Sequence, residues 1–378
     1  MTHLTGTEKI QSNHKLFGLD HLRAFAISFV FIFHYGRIFP HPQWANSISI
    51  FGWTGVDLFF VLSGYLISSQ LFAKIAQNKK ISFKEFFLKR FFRIIPAYLV
   101  VLALYFLFPS FREREALAPL WKYLTFTQNI GLDLRTQGTF SHAWSLCIEE
   151  QFYLLLPLIL IALVYLKTFK RGLILLLFLF VFGFFARYYA WHILVAPFSA
   201  SDEFWVYWQE WIYYPTYSRL DGLLAGVSVA AIFQFLPRLK IKIEKYGNFL
   251  LLIGLLVLTG AYFIFLNQQT LRASVYGFPL VSIGYGFIVA GAISTTSFLY
   301  KFNSKITGTL ATLSYAVYLV HKIIIHLTQE YFSKLHIAKD SNIMFLICII
   351  TSLLAALLLN KIIEKPFLRL REKILARK

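Results

Sequence analysis

The residues in this sequence that could do chemistry lie inside apolar runs, where charge is costly and invites a functional reading. Arg23 and His34 fall eleven residues apart within LDHLRAFAISFVFIFHYGRIF. Eleven steps of about 100° come within about 20° of three full turns, so on a helix the two side chains face one way, roughly 16 Å apart along the axis. A guanidinium can bind phosphate. An imidazole can take and return a proton near neutral pH. The plainer alternative is that Arg23 snorkels to the membrane edge and His34 bonds a neighbouring helix.

The next apolar run, GWTGVDLFFVLSGYLIS, carries Asp57, with Ser63 and Gly64 deeper along it. A carboxylate at the depth of His34 can fix an imidazole tautomer and stabilise its protonated form, so Asp57 is expected to orient His34. Gly64 either admits a ligand or lets two helices pack closely. In KRFFRIIPAYL, Arg90 and Arg93 lie one turn apart; they either anchor the chain at the membrane surface or grip a phosphate. Glu149 and Glu150, in HAWSLCIEEQFYLLLP, point about 100° apart, so at most one faces a ligand shared with His34. Arg219 and Asp221 open a later run, and His321 and Lys322 sit in another. Ser63, Trp144, Arg219, Asp221 and His321 are the candidates for substrate contacts.

Helices in a bilayer must position these groups. Of the 378 residues 58% are hydrophobic and 15% charged, against roughly 25% charged in soluble domains. The expected fold is all-α: a polytopic membrane bundle whose ten spans run approximately over 22–40, 52–72, 92–108, 144–166, 173–190, 220–236, 249–266, 275–299, 308–327 and 343–360. Lys and Arg collect on alternate loops and on the C-terminal tail. That pattern predicts both termini in the cytoplasm, with Arg23, Arg90 and Arg93 on that side and His34, Asp57, Glu149 and Glu150 in the outer half. The same rule explains the net charge of +19 without nucleic acid. Segments 109–143 and 191–217 are long outer loops, the second rich in Trp and Tyr. Those rings suit a membrane-interface belt better than a sugar-stacking surface. Residues 1–15 lack the apolar core of a signal peptide and read as a cytoplasmic segment, followed by a membrane domain over 16–366 and a basic tail over 367–378. Cys147 and Cys348 lie in apolar runs without metal-ligand spacing, and no metal is expected.

Together these blocks resemble the acyltransferase 3 family of membrane-bound O-acyltransferases. The resemblance rests on Arg23 with His34, on GVDLFFVLSGYLI at 55–67 and on Arg90-x-x-Arg93 with Pro96 and Tyr98. It extends to WSLCIEEQFYLLLP at 144–157, SRLDGLLAG at 218–226 and SYAVYLVH at 314–321. His21 departs from it, since many members have glycine there. Some members carry a C-terminal esterase-like domain, whereas this sequence stops soon after the tenth span. The resemblance implies transfer of an acyl group, usually acetyl, from cytoplasmic acyl-CoA to a hydroxyl of an extracytoplasmic or lipid-linked glycan at the cell (inner or plasma) membrane. On that reading Arg23, Arg90 and Arg93 hold acetyl-CoA. His34 is the base, Asp57 its partner, and Glu149 or Glu150 serves acceptor hydroxyls. The acceptor's oxygen attacks the thioester directly, or His34 carries the acyl group as an acyl-imidazole. The rival readings are a transporter or flippase of a lipid-linked glycan and a non-catalytic assembly factor.

Overall fold

A computed structural model of the chain describes residues 16–114 and 116–376. The expected segment 1–15 and the last two residues of the tail lie outside these. Among the described residues there is no strand, and ten principal helices follow one another: α1 (Phe17–Ile38), α2 (Thr54–Ala76), α3 (Phe83–Leu107), α4 (Trp144–Tyr165), α5 (Gly172–Ala190), α6 (Asp221–Phe235), α7 (Gly247–Ile264), α8 (Phe278–Ala292), α9 (Lys305–Ser333) and α10 (Asn342–Leu359). All but α6 are long and apolar enough to cross a membrane, α8 together with the π-helical turn Ala273–Gly277 that leads into it. The helix Pro237–Lys245 follows α6 after a 108° bend, because Pro237 disfavours helical backbone at Leu236. The bundle is therefore a polytopic membrane protein.

Two helices start earlier than hydropathy indicates. The first begins at Phe17, and α3 begins at Phe83, nine residues before the expected span. There FKEFFLKRFF is too charged to score as a span yet is a good helix, capped by the Ser82 side chain accepting from the Glu85 N–H at 3.3 Å. Among the described residues the loop expected over 109–143 contains one short α-helix, Leu120–Leu124, between 3-10 turns at Pro109–Phe111 and Ser141–Ala143.

The starts of α1, α3 and α9 share one face with the ends of α8 and α10. His21 bonds the Phe302 carbonyl, Tyr315 the Ile94 carbonyl, and Arg93 pairs with Glu364. We call this the terminal face. Glu364 ends a π-helical turn, Asn360–Glu364, that carries α10 into a last helix, α11 (Lys365–Ala376).

Glycines set the tightest crossings. A Cβ on Gly64 would lie 2.2 Å from the Leu223 carbonyl oxygen, and one on Gly226 only 2.1 Å from that of Val61. Helices α2 and α6 therefore cross in backbone contact, so Gly64 serves packing rather than a ligand. Gly55 brings α2 equally close to α1 at the Ala26 carbonyl. Gly226→Leu should force α2 and α6 apart and cost at least about 1–3 kcal/mol. Gly260→Ala, where a Cβ would meet nothing within 4 Å, should be neutral or slightly stabilising. Thermal unfolding in detergent checks both; equal melting would argue against the crossing.

Candidate functional site

Two cavities penetrate the bundle from opposite faces. The one toward the terminal face encloses about 150 Å³ and is lined by Arg23, Arg90 and Arg93, with Ser63, Glu149, Tyr153 and Tyr318. Arg93 pairs at 3.4 Å with the buried Glu364, and Arg23 lies 3.8 Å from Asp20. Arg90 has its guanidinium 6.0 Å from the centre of the Tyr153 ring, and its buried Nε bonds no group. Three guanidiniums converging on one recess, one with a donor left over, form a cradle for phosphate-like charge. Tyr153 donates to Glu149 Oε2 at 2.8 Å and so holds that carboxyl on the cavity wall.

The second cavity, about 190 Å³, is lined by His34, Arg37, His142 and Trp144 and by the aromatic rings of Trp53, Trp205, Trp208, Tyr213 and Tyr214. Its chemistry centres on three buried histidines from α1, the start of α4 and α9. His321 Nδ1 faces the Tyr318 and Val317 carbonyls at 2.8 and 3.0 Å and must carry the proton it donates to them. His321 Nε2 then presents a lone pair to His34 Nδ1, 3.0 Å away. His34 Nδ1 also faces the Val30 carbonyl at 2.9 Å, so it bears a proton shared between these two acceptors. The tautomer of His34 is thereby fixed, and Nε2, which bonds no group among the described residues, is left for a ligand. His142 donates Nε2–H to the same Tyr318 carbonyl at 3.1 Å.

Asp57 does not partner His34. Its Oδ1 accepts from Arg219 Nη2 at 2.8 Å. The reason is angular. Gly55 faces α1, and two further residues turn Asp57 about 200° away from it, toward α6. Orientation of His34 falls instead to His321, which stands beside it and not at a substrate-contact position. Arg219 does not reach either cavity. It is 1% exposed and boxed by the rings of Phe278, Tyr213, Trp144 and Trp53, with its Cζ 4.2 to 5.7 Å from their centroids. Asp221 is likewise buried, accepting from Arg187 Nη1 at 2.5 Å. Arg219 and Asp221 are thus internal ties of the cavity wall.

The glutamates also differ from expectation. Glu149 shares the cavity of the arginines, not that of His34, and Glu150 lines neither. Glu149 stands one turn below Ser145 on the face of α4 turned to the arginines. Trp144, one residue before Ser145, lines the cavity of His34 and His142. Ser63 likewise opens onto the arginine cavity.

Sequence reasoning passed over Arg187, His142, Glu113 and Tyr318. Arg187 interrupts the apolar run GFFARYYAW and met the same criterion that singled out Arg23. Glu113 forms a fully buried ion pair with Lys322 Nζ at 2.6 Å and accepts from the Phe140 N–H at 3.1 Å. It ties the loop after α3 to the residue beside His321. Nothing in the spacing of Glu113 within a long loop could have revealed this.

Comparison with known proteins fits this arrangement. The family profile described as an acyltransferase domain, acyltransferase 3, matches residues 16–361. The chain belongs to the acyltransferase 3 family. It is 32% identical over 385 residues to "O-acetyltransferase OatA" of Staphylococcus aureus strain NCTC 8325 / PS 47, a match covering 95% of this chain and 58% of that protein. It is 28% identical over 395 residues to a second S. aureus protein, from strain COL, named provisionally as an O-acetyltransferase; 97% of this chain and 59% of that protein are covered. The chain thus spans somewhat more than half the length of these relatives. No solved structure matches it. As a member of the acyltransferase 3 family it carries a membrane-embedded acyltransferase domain, and both cavities lie within the matched residues.

Proposed function

We propose that the protein is an O-acetyltransferase of the cell membrane that moves an acetyl group from cytoplasmic acetyl-CoA to a hydroxyl of an extracytoplasmic or lipid-linked glycan. One observation carries this reading: a cavity with three guanidiniums and a cavity with a free imidazole nitrogen approach from opposite faces and share Tyr318 as a wall residue. The terminal face is the cytoplasmic one by its Lys and Arg. Arg23, Arg90 and Arg93 then bind the phosphates of CoA, and the pantetheine arm runs inward past Ser63 and Glu149. His34 Nε2 takes the proton of the acceptor hydroxyl as its oxygen forms the new ester bond and the thioester C–S bond breaks. The CoA thiolate is the leaving group. The names of the S. aureus relatives support an oxygen acceptor, and the aromatic rings around His34, four of them from the 191–217 segment expected as an interface belt, line its cavity and suit a sugar face.

Donor binding tests the reading. Acetyl-CoA should bind the purified protein, and Arg90→Ala combined with Arg93→Ala should weaken binding at least about a hundredfold, since each charged hydrogen bond contributes about 1.5–3 kcal/mol. Unchanged binding would remove the donor site and favour a carrier of lipid-linked glycan. Incubation with labelled acetyl-CoA in the absence of acceptor separates the two chemical routes. Label retained on His34 means an acyl-imidazole, and an unlabelled protein means direct attack.

A further inference from the structure

The two cavities meet at a single shared residue. Tyr318, on α9, lines both and is only 5% exposed. Its hydroxyl donates to the His142 carbonyl, so it must accept from the Ser145 Oγ, 2.8 Å away. The phenol is thereby latched across the junction from both sides. Its partner Ser145 lines the arginine cavity, and the next residue toward the opposite face, Trp144, lines the histidine cavity.

We infer that Tyr318 is a gate, latched by Ser145 and the His142 carbonyl, that separates the arginine cavity from the histidine cavity and limits the size of the acyl group that crosses. With the latch closed no passage runs from one face to the other, so the bundle stays sealed to ions and water. Opening requires the phenol to rotate out and give up two hydrogen bonds. The imidazole rings need not move with it, because those of His142 and His321 are held by the Tyr318 backbone carbonyl rather than by its side chain. A ring at this junction leaves room for a two-carbon acyl group more readily than for a longer one.

The identity of what passes rests on the acetyl-transfer reading above, whereas the gate itself is testable without it. Ser63→Cys provides a reporter on the wall of the arginine cavity, with the two native cysteines buried. In sealed vesicles a small, membrane-impermeant methanethiosulfonate is added at each face in turn. From the terminal face it should modify the reporter in every variant. From the opposite face the reporter should stay protected while Tyr318 is present and react at least tenfold faster in Tyr318→Ala. Tyr318→Phe, which keeps the ring and loses the latch, should fall between. If Tyr318→Ala does not fold, the Phe variant carries the test alone. The gate is overturned if opposite-face reactivity is already high with Tyr318 in place, or is unchanged in whichever variant folds. In parallel, transfer from butyryl-CoA relative to acetyl-CoA should rise in Tyr318→Ala. Changed accessibility without any acyl transfer leaves the gate standing and removes the acetyl-transfer reading. Changed accessibility with an unaltered chain-length ratio overturns the size limit.

Discussion

His34→Ala is expected to abolish acetyl transfer, lowering kcat by roughly 10²–10⁴-fold, the usual contribution of a positioned general base, while acetyl-CoA binding stays within about twofold of wild type. The split follows from the geometry. The arginines that would hold the donor lie in a cavity His34 does not line, and His34 faces the other. His321→Ala should resemble it more weakly: it removes the acceptor that helps fix the His34 tautomer at 3.0 Å but leaves the Val30 carbonyl in place. Turnover assays alongside equilibrium donor binding would check both. A His34→Ala variant that folds and retains full turnover would make the histidine cluster structural.

The second large effect is expected on stability. Lys322 and Glu113 are both fully buried and pair at 2.6 Å. Lys322→Met leaves the Glu113 carboxylate without its cation in the interior, which typically costs about 3–5 kcal/mol. Glu113→Gln together with Lys322→Met should recover much of that loss, because neither side chain is then charged. Calorimetric or fluorescence melting of Lys322→Met, Glu113→Gln and the double variant measures the coupling, and additive losses would mean the two residues do not act as a pair. The pH dependence has a defined sign. Burial pushes the Glu113 carboxyl upward, but Lys322 and the backbone N–H groups outweigh it and leave the carboxyl below its ordinary value. A depressed carboxyl stabilises the fold fully above the unfolded value of about 4.3, and that share is lost as the pH falls through the folded value.

The helices were legible in the sequence because hydrophobic length and the inability of lipid to satisfy backbone polar groups leave little choice. What could not be read was facing. Asp57 and His34 were placed at similar depths, yet Gly55 turns α2 so that Asp57 meets Arg219 on α6. Glu149 and Trp144 sit on one helix five residues apart and open onto different cavities, a distinction set by the packing of α4 against its neighbours. Arg219 looked like a surface ligand because its burial depends on four rings drawn from four separate segments. The arginine cluster was the part most open to sequence reasoning, since Arg90 and Arg93 are one turn apart and Arg23 needed only a shared depth.

The Tyr318 carbonyl accepts a hydrogen bond from both His142 and His321. Two imidazoles on different helices are therefore referenced to a single oxygen atom. If α9 tilts or shifts as the bilayer thickens and thins, both rings receive the same displacement, and the interval between them is conserved to first order. A site hung from two separate carbonyls would convert each such fluctuation into a change of spacing. This one peptide unit makes the spacing of the two rings tolerant of the softness of the solvent around it.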